Sequence, residues 1–328
     1  MSAYDEAKRA YDSKTKPRGS LGRLEELGCR LAAIRGFVPR SLEAAIVVAA
    51  ADHGVARESV SAYPQEVTAQ MVANFAAGGA AVNVLARQAG ARLILVDAGL
   101  AVPFEHAAVR PVRLGPGTAS LAAGPAMTAE QARRGLEAGR ELADELRAVD
   151  VVALGDMGIG NTTSASALTA ALLGVEPALV CGRGTGLDDA GVARKVAVVQ
   201  RALEANRGAD PLAALGGFEL VFLAGLALGC AANRTAVLLD GFITSAAALA
   251  AARIDAAVLD VLIASHRSPE PGHTLVLEAL GLSPLLDLEL RLGEGSGAAL
   301  ALPLLRAAVA ILEEMATFDD AGVTDSGR

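Results

Sequence analysis

The chain has 328 residues, 52% hydrophobic and 20% charged, with 35 glycines and no Trp. That much apolar surface offsets chain entropy and excludes a disordered protein, and the aromatic-poor, Ala/Gly-rich content argues against an all-β sandwich. A formal net charge of −8 leaves no electrostatic footprint for nucleic acid or an anionic membrane surface.

The first twenty residues, MSAYDEAKRAYDSKTKPRGS, are charged and lack an apolar core, so no secretory signal is expected. Cys29, Cys181 and Cys230 form no CxxC pair, which fits a reducing, cytoplasmic setting better than a disulfide framework. Residues 4–35 predict one or two polar helices interrupted at KPRGSLG. Short apolar runs then alternate with longer helical stretches. Strands are predicted over Ala45–Ala50, Arg92–Val96, Val151–Leu154, Ala178–Cys181, Thr235–Leu239 and Val258–Ala264, each apolar nearly throughout, as in parallel strands covered on both faces. Helices are predicted over Glu66–Ala89, Thr128–Arg147, Ser164–Leu173, Asp189–Asn206 and Phe218–Ala232. A last helix spans Leu300–Met315, before a polar tail expected to fray. The alternation predicts right-handed crossovers and an α/β fold with an open, doubly wound parallel sheet. Residues 1–40 with 300–328 are expected to form a small helical subdomain beside a large α/β catalytic domain, 41–299. The uncharged stretch 157–175 is long enough to cross a bilayer. It carries Asn161, Thr162, Thr163, Ser164, Ser166 and Thr169, however, which are costly in hydrocarbon, so no membrane span is expected.

Polar residues collect at the carboxyl ends of the predicted strands, where an open parallel sheet binds ligands: Asp52-His53, Asp97, Gly155-Asp156, Gly182-Arg183, Asp240-Gly241 and Ser265-His266. Strand-to-helix turns also need Asp, Ser and Gly as caps, so any one turn admits a purely architectural explanation. Two turns go further. GDMGIGNTTS (155–164) offers close backbone approach at Gly158 and Gly160, with donors from Asn161, Thr162 and Thr163 beside free helix-start amides, the makings of a phosphate site. GRGTGLDDAG (182–191) exposes further amides at Gly182, Gly184 and Gly186, adds the Thr185 hydroxyl, and is followed by Lys195 as a fixed counter-charge. In a chain of this charge, two such turns point to a phosphorylated small molecule. RLGEGSG (291–297) places Glu294 between glycines before an apolar helix. A partly desolvated Glu there suits proton acceptance near neutrality, although spacing alone also fits an exposed turn glutamate. His266, Glu270 and His273 are weak metal-ligand candidates because Pro269 and Pro271 break the helix that would align them, and there is no GxSxG elbow for a serine hydrolase.

Taken in order, KPRGSLGRLE (16–25), ADHGVARESVSAYPQEVTAQMV (51–72), NFAAGGAAVNVLAR (74–87), GDMGIGNTTSASAL (155–168), GRGTGLDDAGVARKV (182–196), DGFITSAAAL (240–249), SHRSPEPGH (265–273) and LRLGEGSGAALALPLL (290–305) resemble the nicotinate-nucleotide–dimethylbenzimidazole phosphoribosyltransferase family over nearly the whole chain. The resemblance implies a Rossmann-like three-layer α/β/α domain, a small helical domain from both termini, and a homodimer. It implies transfer of ribose phosphate from nicotinate mononucleotide to a benzimidazole in cobalamin lower-ligand assembly, with no metal or cofactor. The family's catalytic base matches Glu294. Its nucleotide and phosphate contacts match Asp156, Gly158, Gly160, Asn161, Thr162, Gly184, Thr185 and Lys195. Its acceptor pocket matches Ser61, Gln70, Ser268, Leu292 and Gly293. Position 156 departs from the pattern, carrying Asp in place of Glu, one methylene shorter. Transfer to another acceptor, such as adenine or a phenol, and a non-catalytic nucleotide-binding module stand as the alternatives.

Overall fold

Runs of small and β-branched residues build the sheet. AAIVVAAA forms β1 (Ala44–Ala51), buried along its whole length, RLILVDAG forms β2 (Arg92–Gly99), and VVALGDM forms β4 (Val151–Met157). The short strands are β3 (Val109–Pro111), β5 (Ala236–Leu239) and β6 (Leu262–Ala264). All pair in parallel, in the order β3-β2-β1-β4-β5-β6. This computed structural model describes residues 1–325, so the last three residues of the predicted tail lie outside the described residues.

β1 and β4 pair from Ala44 against Val151 to Ala50 against Met157. On either side of that pair the crossovers leave in opposite directions, which opens a crevice beyond the carboxyl ends of the two strands. Phe218–Ala232 and Phe242–Ile254 pack over one face of the sheet, while Arg23–Arg35, Ala81–Gln88 and Ser296–Glu314 cover the other. The helix Phe218–Ala232 is buried almost end to end and is in turn covered by Ala129–Glu145. Glycine makes that contact possible. A Cβ at Gly139 would stand 2.2 Å from the Phe222 carbonyl oxygen, and one at Gly225 the same distance from that of Leu136. Near the chain ends, Ala7, Tyr11, Cys29, Ala32 and Leu312 form a separate apolar cluster between Ala3–Asp12, Arg23–Arg35 and Ser296–Glu314.

The sheet has six strands, but one predicted strand gives way to another. Ala178–Cys181 is no strand: Pro177 starts a 3-10 turn over Pro177–Leu179, and its ring cannot supply a ladder N–H. The sixth strand is β3, whose three residues are too few for a hydrophobic pattern. The predicted helix Glu66–Ala89 is two helices, Val67–Ala77 and Ala81–Gln88, because Gly78 ends the first in a left-handed conformation (φ +81°). Most of Val258–Ala264 is a 3-10 turn, leaving β6 at its end. The tail holds a short helix, Phe318–Ala321, and a bridge from Thr317 back to Lys14, so it is ordered further than predicted. Two stretches, 67–88 and 296–314, are long and apolar enough to cross a membrane by length and composition. The break at Gly78 divides the first, and the second packs on the sheet.

Candidate active site

Three glycine-bearing segments meet at the crevice. β4 ends at Asp156-Met157, and Gly160 (φ +95°) turns the chain into the helix Asn161–Leu173 with no side chain capping its first turn. Thr68 Oγ1 accepts the Ile159 amide at 3.0 Å and fixes that turn from the helix Val67–Ala77. Gly158 needs its missing side chain, since a Cβ would lie 2.5 Å from the Ala51 carbonyl oxygen. Beneath it His53 Nε2 meets Glu219 Oε1 at 2.7 Å, both side chains wholly buried.

The second segment, 182–186, is anchored from behind by Lys195, whose Nζ donates to Thr162 Oγ1 (2.9 Å) and to the Gly182 carbonyl (3.2 Å). Burial lowers the Lys195 pKa, and the Glu270 charge partly opposes this. Glu270 Oε1 accepts the Gly184 amide at 2.8 Å, so one amide read from the sequence as a phosphate donor already faces a carboxylate.

The third segment, 290–297, carries Glu294 in a left-handed conformation (φ +66°) between two positive-φ glycines. Its amide donates to the Asp156 carbonyl at 3.2 Å, which ties it to the end of β4. Gly155 must be glycine there, because a Cβ would meet the Glu294 backbone at 2.7 Å. The amides at the start of the next helix are not free for a ligand. Instead, Asp240 takes them, Oδ1 accepting from Gly297 (2.7 Å) and Ala298 (3.0 Å) and Oδ2 from Gly295 (3.1 Å). A buried carboxylate thereby caps the positive end of Ser296–Glu314 and fixes the loop holding Glu294. Glu294 is 4% exposed, and its Oε2 has no partner. Burial, with the Asp240 charge nearby, pushes its carboxyl up to about 7. Burial and the charges of Asp240 and Glu219 likewise raise Asp156 well above the usual carboxylate range, while Asn161 Nδ2 donates to its Oδ2 at 2.9 Å.

Of the residues expected from the sequence, Asp156, Gly158, Asn161, Thr162, Gly184, Thr185, Ser268, Leu292 and Gly293 line one cleft. Gly160, Lys195 and Glu294 stand directly behind its wall, each bonded or adjacent to a lining residue. Ser61 reaches the rim, its Oγ 3.3 Å from Thr185 Oγ1. Gln70 is exposed and is not among the lining residues. Phe242, His266, Glu270, Leu290 and Arg291 also line the cleft and were not assigned to a nucleotide site from the sequence. For Phe242 and His266 the available signal is a position just after a strand end.

His266, Glu270 and His273 do not converge as metal ligands. The Ser268 amide donates to His273 Nδ1 (3.0 Å), so the ring proton sits on Nε2 and points to Ser245 Oγ (3.1 Å), while burial lowers the His273 pKa to about 3. Among the described residues no group of three or more His, Cys, Asp and Glu side chains could hold a metal ion.

A phosphoribosyltransferase family profile matches residues 1–323. The nicotinate-nucleotide–dimethylbenzimidazole phosphoribosyltransferase of Chloroflexus aggregans is 52% identical over 97% of this chain and 93% of its own length, and that of Azotobacter vinelandii is 54% identical over 96% and 92%. The crystal structure of CobT from Thermus thermophilus superposes with a TM-score of 0.93 at 50% identity, covering 99% of both chains. With relatives this similar along almost all of its length, the chain belongs to the nicotinate-nucleotide–dimethylbenzimidazole phosphoribosyltransferase family.

Proposed function

We propose that the chain transfers the 5-phosphoribosyl group of nicotinate mononucleotide to dimethylbenzimidazole, giving α-ribazole 5′-phosphate and nicotinate. The observation that carries this reading is the bond from the Glu294 amide to the Asp156 carbonyl, which joins a buried carboxylate of raised pKa to the amide-rich turn at Gly158. In the donor, the C1′–N bond to the pyridinium breaks and its electron pair returns to the ring nitrogen. The ring nitrogen therefore leaves neutral without a general acid. The acceptor forms a bond to C1′ through one ring nitrogen and must lose the proton on the other. Glu294 takes that proton, and a carboxyl titrating near neutrality is matched to the task. Apart from the Ile159, Asn161 and Gly184 amides, which already donate within the protein, the amides and hydroxyls of 158–162 and 184–185, backed by Lys195, hold the phosphate.

The acceptor lies against Leu292, Gly293 and Ser268, with Ser61 at the rim and Gln70 further out. The apolar side chains Phe242, Leu290 and Leu292 suit a flat aromatic base. We place this reaction in nucleotide-loop assembly of cobalamin, in the cytoplasm, where three buried, unpaired thiols are stable. We also propose a homodimer, and a helical unit from residues 1–40 and 300–328 that braces the loop of Glu294 through Ser296–Glu314.

The test is direct. Protein mixed with nicotinate mononucleotide and dimethylbenzimidazole releases nicotinate and forms α-ribazole phosphate. Absence of nicotinate release with every benzimidazole, adenine and phenol offered defeats the reading. Thermal stabilisation by the nucleotide without turnover would instead identify a binding module.

A further inference from the structure

Glycines at 158 and 160 leave the turn after β4 with little shape of its own, since neither carries a Cβ to restrict the backbone beside Ile159. What holds it is the Ile159 amide, which donates to Thr68 Oγ1 at 3.0 Å. The Asn161 amide turns inward to the Gly158 carbonyl, also at 3.0 Å. Among the described residues, that leaves the Gly160 and Thr162 amides without a partner. The direction of the Ile159 amide therefore decides which amides the turn presents to the cleft.

Thr68 is wholly buried, so its hydroxyl also needs a partner for its own proton. Asp52 offers one. Its Oδ2 accepts the Ala101 amide at 2.8 Å, and its Oδ1 is buried without a hydrogen-bond partner. Burial raises the Asp52 carboxyl, while the Ala101 amide, the Thr68 hydroxyl, His53 and Gln65 work against that shift, so the hydroxyl lies close enough to stabilise the carboxylate. Asp52 cannot swing away. Its amide donates to the Gly99 carbonyl at 3.0 Å, and its carbonyl accepts the Thr118 amide at 2.9 Å. A hydroxyl that donates to a carboxylate is in turn a stronger acceptor, which tightens its hold on Ile159. The series Asp52, Thr68, Ile159 thus ties the ends of β1 and β2 to the turn after β4. We propose that Thr68, oriented by Asp52, is the positioning residue that shapes this turn for the phosphate of the nucleotide. This rests on the phosphoribosyl-transfer reading above.

Equilibrium titration of nicotinate mononucleotide, and of nicotinate riboside, which lacks the phosphate, tests it without turnover. Wild type holds the nucleotide more tightly than the riboside. Thr68→Val keeps the shape of the side chain but frees the Ile159 amide. It weakens the nucleotide by about 5- to 50-fold and the riboside by less than about threefold, and Thr68→Ser stays within about threefold of wild type for both. Asp52→Asn, which offers an oxygen to only one of its two donors, narrows the same preference by a smaller factor and serves if Thr68→Val does not fold. Equal weakening of nucleotide and riboside by Thr68→Val would make Thr68 a general packing residue and overturn the assignment. So would unchanged affinities in Thr68→Val, an unchanged preference in Asp52→Asn, or a wild type that holds both compounds alike. Nicotinate release, measured separately on wild type, reads the transfer reaction itself, so the failure of either claim is distinguishable.

Discussion

The crevice and the packed terminal helices both bury polar groups, yet they treat them differently. Around the terminal helices the Tyr11 hydroxyl donates to the Ala308 carbonyl at 2.7 Å, Lys14 Nζ to the Met315 carbonyl at 2.6 Å, and Lys16 pairs with Glu25 at 2.8 Å. Buried atoms without a hydrogen-bond partner on the terminal helices include the Nε atoms of Arg30, Arg35 and Arg306, whose guanidinium groups bond backbone carbonyls through their other nitrogens. At the crevice, by contrast, they are carboxylate and imidazole atoms: Asp156 Oδ1, Glu294 Oε2, Glu270 Oε2, His53 Nδ1 and Glu219 Oε2. Leaving such groups unpaired costs stability, and proteins keep that cost where a ligand or a proton transfer compensates for it. The terminal helices are built to stay in place, and the crevice is built to receive something.

Substitutions can break or sharpen this contrast. Glu294→Gln has the largest expected effect: turnover falls by about 10²- to 10⁴-fold with little change in the KM for nicotinate mononucleotide, read as nicotinate release. The same variant gains stability at high pH. The folded carboxyl titrates at about 7, above its ordinary value of 4.5, so the folded state binds this proton more tightly. The cost of the buried charge is absent below the ordinary value, grows through that window, and is complete above about 7. Glu294→Gln therefore melts higher than wild type at pH 8 and at the same temperature near pH 4.5.

Glu219→Ala comes next. It leaves His53 buried without its partner beneath Gly158, and destabilises by about 3–5 kcal/mol in denaturant unfolding. It also raises the KM for the nucleotide as the turn above loosens. Tyr11→Phe is the smallest. It removes one buried hydroxyl from the terminal-helix packing, lowers stability by about 1–2 kcal/mol, and leaves kcat unchanged. A loss of turnover comparable to that of Glu294→Gln would erase the distinction between the two regions.

What the sequence disclosed follows the same division. β1 and β4 are legible because runs such as AAIVVAAA have one interpretation in an α/β chain. Phe218–Ala232 is legible down to its end residues. The turn at Gly158 and the positive-φ segment around Glu294 are legible because glycine spacing is local. Asp240 capping a helix 55 or more residues away is not, and neither is His53 meeting Glu219 166 residues away, since nothing in a linear pattern encodes contacts of that range. Glu270 is visible only as a weak metal candidate, and its actual bond, to the Gly184 amide, needs the fold. β3 escapes a sequence reading because three residues at a sheet edge carry no periodicity, and Ala178–Cys181 reads as a strand because buried apolar residues look the same in a strand and in a turn.

The measurement closest to the central claim is the pH dependence of kcat/KM for nicotinate release, in wild type and in Glu294→Gln. Proton acceptance by Glu294 requires the carboxylate, so the wild-type rate rises with pH and levels off above about 7, and this limb is lost in the variant along with most of the rate. A variant that keeps both the rate and the limb would contradict Glu294 as the base.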